Sequence, residues 1–121
     1  MKTDARVKYT KMVLKKALLE LMQHKPVNKI TVKEICERAE LNRATFYAHY
    51  SDCFDLLESI EEELFGQFER SMQSYTRSFD IAGLVDGLYR IVQENEAVCR
   101  VLLFGRRSTE LIHRMIAYAH D

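Results

Sequence analysis

The residues that follow Asn42 combine types that can read the edges of DNA bases. Arg43 carries forked guanidinium donors, whose spacing matches the O6 and N7 acceptors of guanine. Ala44 is small enough to let a helix approach closely, and its methyl group can contact the methyl group of thymine. Together these residue types suit the first turn of a helix that enters a DNA major groove.

Short or rigid polar side chains continue along the same segment. Thr45, Tyr47 and His49 carry donors suited to phosphate oxygens, which position a protein on DNA without reading its sequence. Phe46 and Tyr50 are four residues apart on the opposite side of the predicted helix. We therefore expect these two rings to hold the helix against its neighbours.

Two capping signals predict the helices that position these side chains. Thr31 and Glu34 have the spacing of a capping box, in which each residue accepts a hydrogen bond from the backbone N–H of the other. Asn42 is a favourable N-cap for a following helix, predicted from Arg43 to about Tyr50. Two short helices joined by about three residues are typical of a helix-turn-helix. The inner face of the first of them is predicted to be Val32, Ile35, Cys36 and Ala39.

The rest of the chain also shows the apolar spacing of helices. A first helix is predicted from about Arg6 to Lys25, because Pro26 disfavours helical geometry for the residue before it. Its apolar stripe is predicted to be Tyr9, Val13, Leu14, Ala17, Leu18 and Leu21. The later segments are a long helix over about 52–75, a helix starting near 81 with Ile81, Leu84, Val85, Leu88 and Val92 inward, a short apolar segment over 98–104, and a last helix over about 109–119.

The composition of the chain favours an all-α fold, and its charged residues are unevenly distributed along the sequence. The 121 residues include one proline and four glycines, too few for the turn-dense connections of a sheet protein. Residues 1–50 hold eleven Lys or Arg against five Asp or Glu, a net charge of +6. Residues 51–121 hold seven against thirteen, a net charge of −6. A basic half joined to an acidic half indicates a polyanion-binding head and a second part with another role.

The remaining signals argue against other classes of protein. The chain contains no stretch apolar enough to span a membrane and no signal-peptide core, so we expect a soluble cytoplasmic protein with no membrane partner. The three cysteines lack metal or redox spacing. Glu110 and His113 have the spacing of a di-iron ligand pair, but the second pair that such a site needs is missing. We expect no catalytic residues, no metal, no cofactor and no enzymatic activity.

A longer run of residues resembles the TetR/AcrR family of bacterial regulators. The resemblance covers roughly residues 9–57 and is carried by the segment from Ile30 to Ala39, the segment from Leu41 to Tyr50, and Asp55-Leu56-Leu57. The Thr-Phe-Tyr-x-His-Tyr run at 45–50 is similar to that family's recognition helix and its exit. Beyond residue 57, only the helical pattern agrees.

The resemblance implies a function and a set of contacts. It implies a sequence-specific transcriptional regulator, a repressor, that binds a palindromic operator in double-stranded DNA as a homodimer and is released by a small-molecule effector. It also implies a helix-turn-helix head over 1–51 and a helical effector and dimerisation body over 52–121. Phe46 and Tyr50 would lie in the core, and Lys2, Arg6 and Lys8 could add arm or backbone contacts. The residues assigned to DNA are Thr31, Lys33, Asn42, Arg43, Ala44, Thr45, Tyr47 and His49.

Three departures from the family pattern lead to further expectations. Glu40 stands in the turn where the family often has glycine, so a left-handed backbone there would be strained by about 1–2 kcal/mol. Cys53 replaces a lysine that would contact phosphate; a redox-sensitive thiol is the alternative reading of this position. The chain ends at Asp121, where family members usually continue, so we expect either an unusually short member of the family or a fragment.

Two alternatives remain open from the sequence. The chain could be a TetR-like protein–protein adaptor that does not itself bind DNA. In the body, apolar side chains could line an effector pocket or could simply form core. These residues are Tyr75, Phe79, Tyr89, Phe104 and Met115.

Overall fold

The computed structural model describes residues 2–78, 80–103, 114 and 116–117. Every regular element in the described part of the chain is a helix and none is a strand, which confirms the predicted all-α class. Within the described residues the helices are α1 Lys2–Met22, α2 Val32–Ala39, α3 Arg43–Tyr47, α4 Cys53–Ser78, α5 Ile81–Glu94 and α6 Glu96–Leu103, with a 3₁₀ turn at Val27–Lys29. Most of the predicted last helix lies outside the described residues; residues 114 and 116–117 within it are helical.

α1 buries a face that is rotated from the predicted one. It starts four residues earlier than expected and ends three residues earlier. Tyr9 is 58% exposed, so its predicted place in the core is wrong, and Thr10 is buried instead. The buried face carries Thr10, Leu14, Ala17, Leu18 and Leu19, and α1 packs against α2. The rotation exposes the tyrosine ring, whose hydroxyl can remain hydrated.

α2 and α3 have the predicted caps. The capping box between Thr31 and Glu34 is present, and the Asn42 side chain caps α3. Glu40 ends α2 in the left-handed conformation, with φ 58° and ψ 43°, as expected for the position where the family often has glycine. α3 is shorter than predicted, because the chain turns after Tyr47 through backbone bonds from residues 48–50 to Ala44 and Phe46.

The first compact unit spans Met1–Ile60 and therefore ends inside α4. Its core confirms the predicted packing of Phe46, which is fully buried, and of Tyr50. The two rings lie 5.9 Å apart in a tilted arrangement. The first two turns of α4 complete this core with Cys53, Leu56, Leu57 and Ile60. The functional division at 51/52 stays a prediction.

The second compact unit begins at Glu61. Asn95 alone separates α5 from α6. α5 does not turn its predicted face inward: Ile81 is 76% exposed, and Val85 and Val92 are also exposed. Its less exposed side carries Leu84, Gly87, Leu88 and Ile91. α6 buries Val98, Cys99, Val101 and Leu102.

No helix within the described residues is long and apolar enough to cross a membrane.

Candidate nucleic-acid interface

The N-terminus of α3 presents the predicted base-reading side chains to solvent. Arg43 and Ala44 are exposed, and Tyr47 is 55% exposed. Thr45 and His49 are half-buried. An exposed guanidinium next to a small residue, on a helix capped just before it, leaves room for the close approach that base-edge contacts need.

The cap of α3 uses the hydroxyl of Thr45. The Asn42 Oδ1 accepts from the backbone N–H of Thr45 at 2.8 Å and from its hydroxyl at 2.9 Å. The hydroxyl proton is therefore directed into the cap, and toward DNA Thr45 can offer its methyl group and its oxygen lone pairs. Sequence reasoning treated this hydroxyl as a free donor. The three-residue spacing from an N-cap asparagine was the signal that could have shown its second role.

The N-terminus of α2 carries the other predicted contacts. Thr31 and Lys33 are exposed. The Thr31 hydroxyl accepts from the N–H of Glu34 at 3.1 Å, and the Glu34 Oε1 accepts from the Thr31 N–H at 3.1 Å. Lys25 forms an ion pair with the other carboxylate oxygen of Glu34. The hydrogen bond from Lys25, followed by that from the Thr31 backbone, holds the pKa of Glu34 below its ordinary value.

The turn between α2 and α3 is held by local bonds. The Leu41 N–H donates to the Cys36 carbonyl at 3.0 Å, and the Cys36 thiol donates to the Asn42 carbonyl at 3.8 Å. Phe46, which is buried, and Tyr47 form a T-shaped pair with ring centroids 5.4 Å apart. These contacts connect the orientation of Tyr47 to the buried core.

Basic residues at the start of the chain lie on a helix, not on an extended arm. Lys2, Arg6 and Lys8 are all part of α1. Arg6 and Lys8 are exposed. A helix holds such charges at set positions, which a disordered tail would not do.

Part of the chain matches a known family of proteins. Residues 14–60 match the family model described as bacterial regulatory proteins, tetR family. This stretch of the chain is thus similar to the tetR family. The match confirms the resemblance stated from the sequence, and it ends at the residue that closes the first compact unit.

A curated relative agrees with this assignment. The chain is 37% identical over 51 residues to an uncharacterized HTH-type transcriptional regulator of Bacillus subtilis, YxbF. The alignment covers 42% of this chain and 13% of that protein. The chain thus spans about an eighth of the length of the curated relative that it matches. No solved structure matches the chain.

Cys53, at the start of α4, is a buried packing residue within the segment that matches the tetR-family model. Its thiol donates to the carbonyl of Ile30 at 3.5 Å, directly before the N-cap of α2. Burial raises the pKa of Cys53, with smaller contributions from nearby acidic groups, so the thiol form is favoured. Cys36 and Cys99 are likewise buried and free, and burial raises the pKa of each.

The predicted effector-binding residues lie mostly where no side chain is described. Tyr75 is in α4, but its side chain is not described, and Tyr89 is exposed on α5. Phe79, Phe104 and Met115 lie outside the described residues. Among the described residues, no group of His, Cys, Asp or Glu could hold a metal ion.

Proposed function

We propose that this chain is a transcriptional repressor that binds a palindromic operator in double-stranded DNA as a homodimer. The observation that carries the proposal is the exposed Arg43-Ala44 pair at the capped start of α3, within the segment that matches the tetR-family model. Arg43 reads a guanine, and Ala44 allows the helix to approach the groove. Thr45 lies against the bases through its methyl group.

Contacts to phosphate come from both short helices. The DNA backbone is bound on one side by Tyr47 and His49, and on the other side by Thr31 and Lys33. These contacts set the register of α3 in the groove. Asn42 acts through the cap that orients the first turn of α3. These contacts carry little sequence information but much of the affinity, and they make binding sensitive to salt.

The part of the chain after Ile60 is proposed to couple an effector to DNA binding. A small molecule that binds better to the DNA-incompetent state shifts the population toward that state and releases the operator. The supporting argument is the family of the first domain. The proposed site of action is the cytoplasm of a bacterium.

The deciding experiment combines a selection with a mass measurement. Random-sequence duplexes are enriched on the purified chain, and the molecular mass in solution is measured on the same sample. A dimer that enriches a palindrome with half-sites about ten base pairs apart supports the proposal. A chain that shows no salt-dependent DNA binding favours the protein–protein adaptor and overturns the proposal.

A further inference from the structure

The carboxylate of Glu34 serves two structural partners at once. Its Oε1 accepts from the Thr31 N–H at 3.1 Å and from the Thr31 hydroxyl at 3.3 Å, and its Oε2 meets the ammonium of Lys25. Lys25 lies in the loop after α1, nine residues before Glu34. One carboxylate therefore joins the end of the first helix to the cap of the second.

The Glu34 carboxylate lies beside the position at which a phosphate is proposed to contact Thr31. To donate to a phosphate, the Thr31 hydroxyl must turn its proton away from Glu34 Oε1. The phosphate oxygen would then lie within about 6 Å of the carboxylate, because the hydroxyl oxygen is 3.3 Å from Oε1. Two like charges at that separation repel each other. The capping box thus supports α2 and also places a negative charge beside the DNA backbone.

The Lys25 ammonium offsets that charge. The side chains of Lys25 and Glu34 are 36% and 32% exposed, so water screens the pair less than a fully exposed pair. The pKa of Glu34 lies below its ordinary value, chiefly because of the hydrogen bond from Lys25, so the carboxylate is fully ionised at neutral pH, as an unshifted glutamate would also be. The negative charge is therefore present whenever DNA is bound, and it needs a counter-charge.

We propose that Lys25 strengthens DNA binding without contacting DNA, by neutralising the Glu34 carboxylate at the N-terminus of α2. The proposal rests on the proposed function, since it requires a phosphate near Thr31. Lys25 is then a positioning and charge-compensating residue, distinct from Lys33, which is proposed to contact phosphate directly.

A double-mutant cycle tests the proposal. The variants are Lys25→Met, Glu34→Gln and the double variant; the glutamine amide oxygen can still accept from the Thr31 N–H and keep the cap. Lys29→Met, alone and with Glu34→Gln, is the charge-matched control, because Lys29 is exposed in the 3₁₀ turn. Affinity is measured on a mixed-sequence duplex of about 24 base pairs, at about 50 and 200 mM salt. Thermal unfolding verifies that each variant is folded at the temperature of the assay.

The expected result is a background-dependent loss. Lys25→Met weakens binding about fivefold when Glu34 is present, because the carboxylate loses the cation that holds it and can approach the phosphate, and it has little effect in the Glu34→Gln background. Lys29→Met gives the same change in both backgrounds.

Two results overturn the proposal: an equal loss for Lys25→Met in both backgrounds, which means that Lys25 contacts DNA itself, or no loss in either. If the wild-type chain binds no duplex, the proposed function itself is wrong. That failure is distinguishable from a failure of the Lys25 proposal, because it is seen before any variant is compared.

Discussion

The side-chain oxygen of Asn42 accepts two hydrogen bonds from one residue, Thr45, at 2.8 Å from its backbone N–H and 2.9 Å from its hydroxyl. α3 spans only Arg43–Tyr47, far fewer residues than a helix needs to be stable by itself. Its first turn therefore depends on this cap and on the burial of Phe46.

Removing the cap should destabilise the domain. Asn42→Ala is expected to lower the free energy of unfolding by about 1 kcal/mol, because the Thr45 N–H loses its acceptor. Asn42→Asp, which keeps an oxygen acceptor, is the matched control and should retain most of the stability. Urea unfolding measures both. An unchanged midpoint for Asn42→Ala would show that the cap does not stabilise α3.

The turn before α3 offers a stabilising change. Glu40 has φ 58°, a conformation that favours glycine. Glu40→Gly should raise the free energy of unfolding by about 1 kcal/mol, since the steric cost of the side chain disappears. Glu40→Ala removes the same charge but keeps the strain, so it should not stabilise. Thermal melts of the two variants separate strain from charge, and equal melting temperatures would contradict the strain argument.

The Lys25–Glu34 pair predicts a dependence of stability on acid. The folded-state pKa of Glu34 lies below its ordinary value of 4.5, so its contribution to stability is present above that value. The contribution is lost as pH falls through the lower, folded pKa. Wild-type and Glu34→Gln unfolding midpoints, measured from neutral to acid pH, should differ at neutral pH and converge in acid. Parallel profiles would contradict this assignment.

In the second unit, a reciprocal amide pair joins α4 to the end of α5. The Asn95 Nδ2 donates to the Gln67 Oε1 at 2.9 Å and to the Ile91 carbonyl at 2.8 Å, and the Gln67 Nε2 donates to the Asn95 Oδ1 at 3.5 Å. Asn95→Ala should cost about 1–2 kcal/mol and Gln67→Ala less, because Asn95 also bonds to the α5 backbone. In a denaturation cycle, the double variant should cost less than the sum of the singles. Strict additivity would mean that the pair contributes nothing.

The proposed base contact of Arg43 and the proposed phosphate contact of Tyr47 should differ in their effect on DNA sequence specificity. Arg43→Ala is expected to cost about 1–3 kcal/mol of binding and to relax the preference at one base position. Tyr47→Phe should weaken binding to all sites alike, because a phosphate carries no sequence information. Binding to the selected operator and to its single-base variants distinguishes the two. If Arg43→Ala left affinity and specificity unchanged, the assignment of α3 as the recognition helix would be wrong.

The local features of this fold were predictable from the sequence by itself. The caps at Thr31 and Asn42, the turn at Glu40 and the all-α class depend on residues three or four apart, whose geometry the helix itself determines. The family resemblance was visible for the same reason, since its residues lie in one short, continuous stretch. Composition added the charge difference between the two halves of the chain.

Only the tertiary structure decided which groups face solvent and which distant groups meet. Apolar spacing marks a stripe but not its rotation toward a neighbour, so it misplaced Tyr9 and the outer face of α5. The Lys25–Glu34 pair crosses a loop of no regular period, and no sequence pattern indicates it. Its existence depends on how α1 packs against α2, a balance of many weak contacts that residue spacing alone does not determine.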